Sequence, residues 1–168
     1  MPYSMFQASV PAFLQSMNAL VAILDKAAAF AQEKRIDPAE LINARLAPDM
    51  FPLSRQVQIV SDNAKGAVAR LAGRDIPKYE DTESTFDDLK ARLAKTIAFI
   101  KSVPEAEFEG SDAREVSLTV GGKAWTVPGQ RFLVHQALPN FYFHAATAYD
   151  ILRHCGVEIG KRDFIGTI

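Results

Sequence analysis

The sequence predicts an all-α protein, a four-helix bundle carrying a small β-hairpin between its third and fourth long helices. Two observations carry this reading. Four long segments repeat apolar residues every three or four positions, the period of a helix with one buried face. Between the last two of them, EVSLTV and KAWTV alternate with period two around Gly121 and Gly122, the pattern of a two-residue hairpin turn over about 115–128. With 168 residues, 48% of them hydrophobic, the chain is long enough for one sizeable core, and residues 1–168 read as a single bundle domain.

The first helix is expected from Ser4 to about Lys34, with Phe13, Met17, Leu20 and Leu24 as its inner stripe. Pro11 leaves two alternatives: a start after a Ser9 cap, or an earlier start with the first two turns bent. Asp37, Pro38 and Glu40 supply a cap, a first-turn proline and a third-position carboxylate for a short connecting helix ending near Leu46. The second long helix follows Met50, Phe51 and Pro52. It shows one stripe, Leu53, Val57, Val60, Ala64, Val68 and Leu71, and stops at Gly73. After the loop GRDIPKYEDT, Ser84 and Asp87 resemble a capping box opening a third helix to about Val103, whose inner face is Leu89, Leu93, Thr96, Ile97 and Ile100. The fourth is expected from about Gly129 to Cys155, closed by Gly156, with VEIGKRDFIGTI left as a tail.

Charge and composition exclude several classes of function. Nineteen Lys and Arg against 20 Asp and Glu leave a formal charge of -1, so no net field draws in nucleic acid or an anionic membrane. The apolar run from Ala19 to Ala31 is broken by Asp25 and Lys26, and MPYSMFQASV has no basic leader; neither membrane insertion nor export is expected. A single cysteine, Cys155, permits no internal disulfide and no cysteine-built zinc site, which fits a cytoplasmic setting.

All three histidines fall on the last helix, where spacing limits what they can do together. At ~1.5 Å per residue, His135, His144 and His154 lie about 13.5 and 15 Å apart along the axis, whereas ligands of one metal converge within ~2 Å of a point. His154, four residues after Asp150 in the last turn, suits the negative end of the helix dipole. His135 stands four before Pro139, which removes the amide its carbonyl would use and bends the helix. His144 is the candidate: Phe141, Phe143, Ala145, Ala146 and Ala148 surround it, and a buried imidazole needs a partner from Asn140, Thr147 or another helix. On the second helix Gln56 and Asn63 flank the apolar stripe, and Gln58 and Asp62 form a further polar pair, with Asp62 pointing away from the stripe toward solvent. The candidate pocket is therefore Asn140, His144 and Thr147 facing Gln56, Gln58, Asp62 and Asn63. Tyr142 and Tyr149, seven apart, form a ridge suited to packing or a dimer seam.

Two stretches, RLAPDMFPLSRQVQIVSDNAKGAVARLAG and LPNFYFHAATAYDILRHCGVEIGKRDF, resemble an uncharacterised bacterial family of unknown function within the DinB/YfiT-like superfamily, and the resemblance covers nearly the whole chain. It implies an up-down-down-up bundle and a homodimer. In that superfamily a histidine of the second helix and two histidines four apart on the last helix bind a divalent metal, and some members are thiol transferases. His144 is similar to the final ligand, but Asn140 stands four before it and Gln56 to Asn63 contains no histidine. Amide oxygens are weak zinc or nickel ligands, so the resemblance implies a degenerate site in which a hard divalent cation or water occupies a polar pocket. Two functions follow as expectations: a homodimeric bundle that binds a small molecule or is structural, and an enzyme using His144 as metal ligand, acid or base.

Overall fold

The computed structural model describes residues 4–167. Helix α1 (Met5–Lys34) starts on Ser4, whose hydroxyl accepts from the Gln7 amide while the Gln7 side chain accepts from the Ser4 amide. The earlier of the two starts therefore stands, and the helix runs through Pro11. Gln7, whose carbonyl loses the Pro11 amide, is exposed, and the buried Ser9 satisfies itself by donating to the Met5 carbonyl at 2.6 Å. Asp37 caps α2 (Pro38–Ile42), which ends short of the expected Leu46. Helix α3 (Leu53–Ala72) stops on Gly73 at φ 70°, and α4 (Phe86–Lys101) opens on a capping box of Thr85 and Asp88, one residue beyond the expected pair. Thr85 wins because its hydroxyl accepts from the Asp88 amide while the Asp88 carboxylate receives the amides of both Ser84 and Thr85. A 3-10 turn (Glu105–Phe108) leads to β1 (Glu115–Val120) and β2 (Lys123–Pro128), antiparallel with Val120 opposite Lys123 and Glu115 opposite Pro128. Gly121 and Gly122 hold φ of 58° and 78°, the paired left-handed conformation that a two-residue turn of this twist requires.

The last long helix is not continuous. It runs as α5 (Gly129–Phe132), a π turn (Leu133–Ala137) and α6 (Leu138–His154). Within the expected tail, Lys161–Ile165 forms a further helix, α7, pinned to α1 by Lys26 to Asp163 at 2.6 Å and by Gln15 donating to the Ile165 carbonyl at 2.9 Å.

Side-chain pairs fix the directions of the bundle. Lys90 of α4 meets Asp25 of α1 while Ser4 meets Glu105, so these helices are antiparallel. Gln58 meets Glu83 and Asp62 meets Arg92, so α3 and α4 run the same way; Gln56 meets His144 and Asn63 meets Asn140, so α3 and α6 run opposite ways. The result is up-down-down-up. A parallel α3–α4 pair needs a long return, and the 13 residues between Ala72 and Phe86 can reach about 43 Å, more than the ~30 Å length of a 20-residue helix. Arg92, its side chain 2% exposed, clamps that crossover through Asp81 at 2.9 Å and Glu83 at 3.0 Å.

The core lies where the four stripes meet: Phe13, Met17 and Leu24 of α1, Leu53, Val57 and Leu71 of α3, Leu89, Leu93 and Ile100 of α4, and Phe141 and Ile151 of α6 are all fully buried. Phe13 and Phe141 pack edge to face with centroids 4.8 Å apart. Helix α1 is long and apolar enough to span a bilayer by composition, yet that apolar stripe is spent on the other helices.

Candidate functional site

The antiparallel faces of α3 and α6 bring four of the sequence candidates together in two pairs. Gln56, 1% exposed, donates from Nε2 to the Phe51 carbonyl at 3.1 Å, just ahead of α3. Only the amide nitrogen can donate to a carbonyl, so this bond turns Oε1 toward α6. There it lies 2.6 Å from His144 Nδ1. Nδ1 therefore carries the proton and donates to Gln56, and Nε2 keeps its lone pair. Among the described residues Nε2 has no hydrogen-bond partner. Burial pushes the His144 pKa down, and the positive charge of Arg55 pushes it the same way, so the ring is neutral at neutral pH.

Seven residues along α3, the second pair repeats the pattern. Asn63 donates to the Ile59 carbonyl at 3.0 Å and its oxygen accepts from Asn140 Nδ2 at 2.9 Å. The turn before α6 is widened: Leu138 donates to the Leu133 carbonyl, five residues back. Pro139, expected to bend the helix, follows this π turn directly as the second residue of α6.

The remaining candidates lie elsewhere. Thr147 is buried, but its hydroxyl donates to the Phe143 carbonyl of its own helix at 2.7 Å rather than to His144. Gln58 and Asp62 face α4 and the crossover, not α6. Gln58 donates to Glu83 at 2.9 Å, while Asp62 is no free solvated charge: it takes Lys65 at 2.6 Å and the buried Arg92 at 2.8 Å. They turn there because α3 has polar residues on both flanks of its stripe, and α4 runs beside one flank. His135 and His154 are exposed, and burial raises the pKa of the half-buried Cys155 thiol, which is the opposite of activation. Two participants carried no readable sequence signal. One is the Phe51 carbonyl, a backbone atom. The other is Arg55, which stacks 5.9 Å from the Phe51 ring and pairs with Asp81. Phe143, expected beside His144, is 57% exposed and edge-on to its ring at 5.1 Å.

A family model described as a domain of unknown function, DUF1993, matches residues 5–165. The chain belongs to this family. A solved relative agrees with it: the crystal structure of a DinB family member protein from Shewanella denitrificans is similar to this DUF1993 chain over 98% of its length and 93% of the other, at 41% identity and a TM-score of 0.90. No curated protein matches the sequence. The DUF1993 chain is thus DinB-like, and the metal of the wider superfamily can be tested against its residues. They do not fit a zinc- or nickel-like ion. The oxygens of Gln56 and Asn63 are already accepting hydrogen bonds from His144 and Asn140, which leaves one imidazole nitrogen and the amide oxygen of Asn140. Among the described residues no three His, Cys, Asp or Glu side chains converge.

Proposed function

We propose that this bundle binds a small organic ligand on the α3–α6 face, with His144 Nε2 as its central acceptor and no transition metal at the site. One observation carries the reading: the chain from the Phe51 carbonyl through Gln56 to His144 Nδ1 holds the imidazole in one orientation and one tautomer. A binding site needs its acceptor fixed before the ligand arrives, and this chain of hydrogen bonds fixes the solvent-facing Nε2. The exposed rings of Phe51 and Phe143 supply apolar flanks beside it. A melting screen against small molecules rich in hydrogen-bond donors tests this. Ligands that raise the Tm of the wild type are expected to lose that effect in His144→Ala. Stoichiometric zinc or nickel in untagged protein, lost in the same variant, would overturn it.

The same neutral imidazole favours a second reading, with His144 as general base on the bound ligand. Nε2 can take a proton while Gln56 steadies the imidazolium through Nδ1. Activity that falls on the acid side with the His144 pKa and vanishes in His144→Ala is its expected signature. We further propose a cytoplasmic homodimer. The face of α6 carrying Tyr142, 38% exposed, and Phe143 supports the dimer, since a partner laid there would cover two exposed aromatic rings. The free, unactivated thiol of Cys155 supports the reducing compartment.

A further inference from the structure

Gln56 and Asn63 belong to a longer row on α3, because Arg70 follows Asn63 by the same seven residues that separate the first two. Unlike Arg55, Arg74 and Arg92, Arg70 has no counter-charge among the described residues; the half-buried Arg114 shares this lack, but its guanidinium donates to two backbone carbonyls, those of Leu71 and Glu107. Arg55 pairs with Asp81, Arg74 with Glu107, and Arg92 with Asp62, Asp81 and Glu83. The half-buried Arg70 has no carboxylate within ion-pair distance among the described residues. Its one hydrogen bond runs from Nη1 back to the Gly66 carbonyl at 3.1 Å, and its guanidinium lies 5.9 Å from the centre of the Phe132 ring. Burial acts on it unopposed and lowers its pKa.

The helix leaves room for this side chain. A Cβ on residue 66 would come within 2.7 Å of Arg70 Nη1, so the guanidinium folds back over the space left by a mid-helix glycine, a residue ordinarily ~1 kcal/mol worse there than alanine. Beside it, under the hairpin and against the π turn, lies a cavity of about 160 Å³ lined by Arg70, Asn63, Asp62, Thr119, Phe132 and Gln136. Asp62 is the single carboxylate in that lining, and it is held by Lys65 and Arg92. The remaining polar groups, two amides and a hydroxyl, can complete the coordination of an oxyanion, and a guanidinium is the side chain best matched to carboxylate or phosphate.

We propose that this cavity is an oxyanion subsite anchored by Arg70, and that the ligand held at His144 is an organic anion whose carboxylate or phosphate end sits there. The second half of the proposal rests on the reading of His144 given above. Asn63 is the link, lining the cavity while bonded to Asn140. His144 stands opposite Gln56, 14 residues or about 21 Å from Arg70 along α3, so the ligand that reaches both is an elongated one with its anion at one end and hydrogen-bond donors at the other.

The test follows the Arg70 Nε–Hε signal of full-length, nitrogen-15-labelled protein by NMR. Inorganic phosphate and acetate are added in separate titrations, at an ionic strength held constant with chloride. A saturable shift at millimolar phosphate, acetate or both is expected, and the anion that saturates first identifies the chemical class. Calorimetry with that anion is expected to show binding weakened about tenfold or more in Arg70→Gln, as loss of a charged bidentate partner implies. Binding to His144→Ala is expected to match the wild type, because the imidazole does not line the cavity; the subsite therefore stands or falls apart from the reading of His144. A signal that stays still or drifts without saturating with both anions, or an affinity undiminished in Arg70→Gln, would overturn the proposal.

Discussion

A half-buried imidazole keeps one orientation only if its donor nitrogen has a committed acceptor, and in this protein Gln56 is that acceptor because its own nitrogen is committed to Phe51. Gln56→Leu leaves both the His144 Nδ1–H and the Phe51 carbonyl without a partner. It is expected to cost roughly 1–3 kcal/mol in urea unfolding, and nitrogen-15 imidazole shifts are expected to change from a single tautomer to a mixture. The lowered pKa of His144 has a sign that can be checked as well. In the unfolded chain the ring protonates near about 6.5, while in the folded protein it holds out to lower pH. As pH falls through about 6.5 the unfolded state takes up a proton first, so stability drops, and this loss levels off once pH passes below the folded value. Urea midpoints measured from about pH 7 to about pH 5 are expected to fall less in His144→Gln than in the wild type. At this scale the sequence offered His144 and a choice among partners. Distance then selected Gln56 and excluded Thr147, which is turned back onto its own helix.

Among the elements, α3 shows how one helix can serve two neighbours. Its stripe of Leu53, Val57, Val60, Ala64, Val68 and Leu71 was legible because period alone marks a buried face. Gln56 and Asn63 could be set beside the stripe and Asp62 away from it, but which neighbouring helix each flank meets was not legible until α4 and α6 were in place. Gly66 gives a test within this element. Gly to Ala in a helix ordinarily gains ~0.5–1 kcal/mol, but here the new methyl meets the Arg70 guanidinium. No gain is expected from Gly66→Ala alone, and about that gain is expected from the same change in an Arg70→Ala background, read as a double-mutant cycle in urea. Caps were legible to within a residue, because Ser84–Asp87 and Thr85–Asp88 both satisfy the pattern and only the hydroxyl's approach to the Asp88 amide decides. The π turn was signalled by Pro139 but not specified, since a proline can be absorbed by a kink or by one widened turn.

In the whole molecule, the exposed Tyr142 and Phe143 carry the proposal of a dimer. Light scattering at micromolar concentration is expected to return twice the chain mass, and Phe143→Asp is expected to shift it toward the monomer; a wild-type monomer would refute the proposal. What the sequence by itself determined was the set of elements: four long helices and a hairpin, each written in local period, caps and turn glycines whose physics needs no distant partner. It also determined that the histidines could not share one ion, because axial rise alone separates them. Tertiary structure decided the rest. Lys161–Ile165 of the tail became α7 only by docking on α1, since five residues cannot hold a helix without packing. Asp62 became an interior partner only because the parallel crossover carries Arg92 to it, and Arg70 acquired a cavity only because the hairpin and π turn close over it. Those outcomes depend on contacts between residues far apart in the chain, which periodicity does not encode.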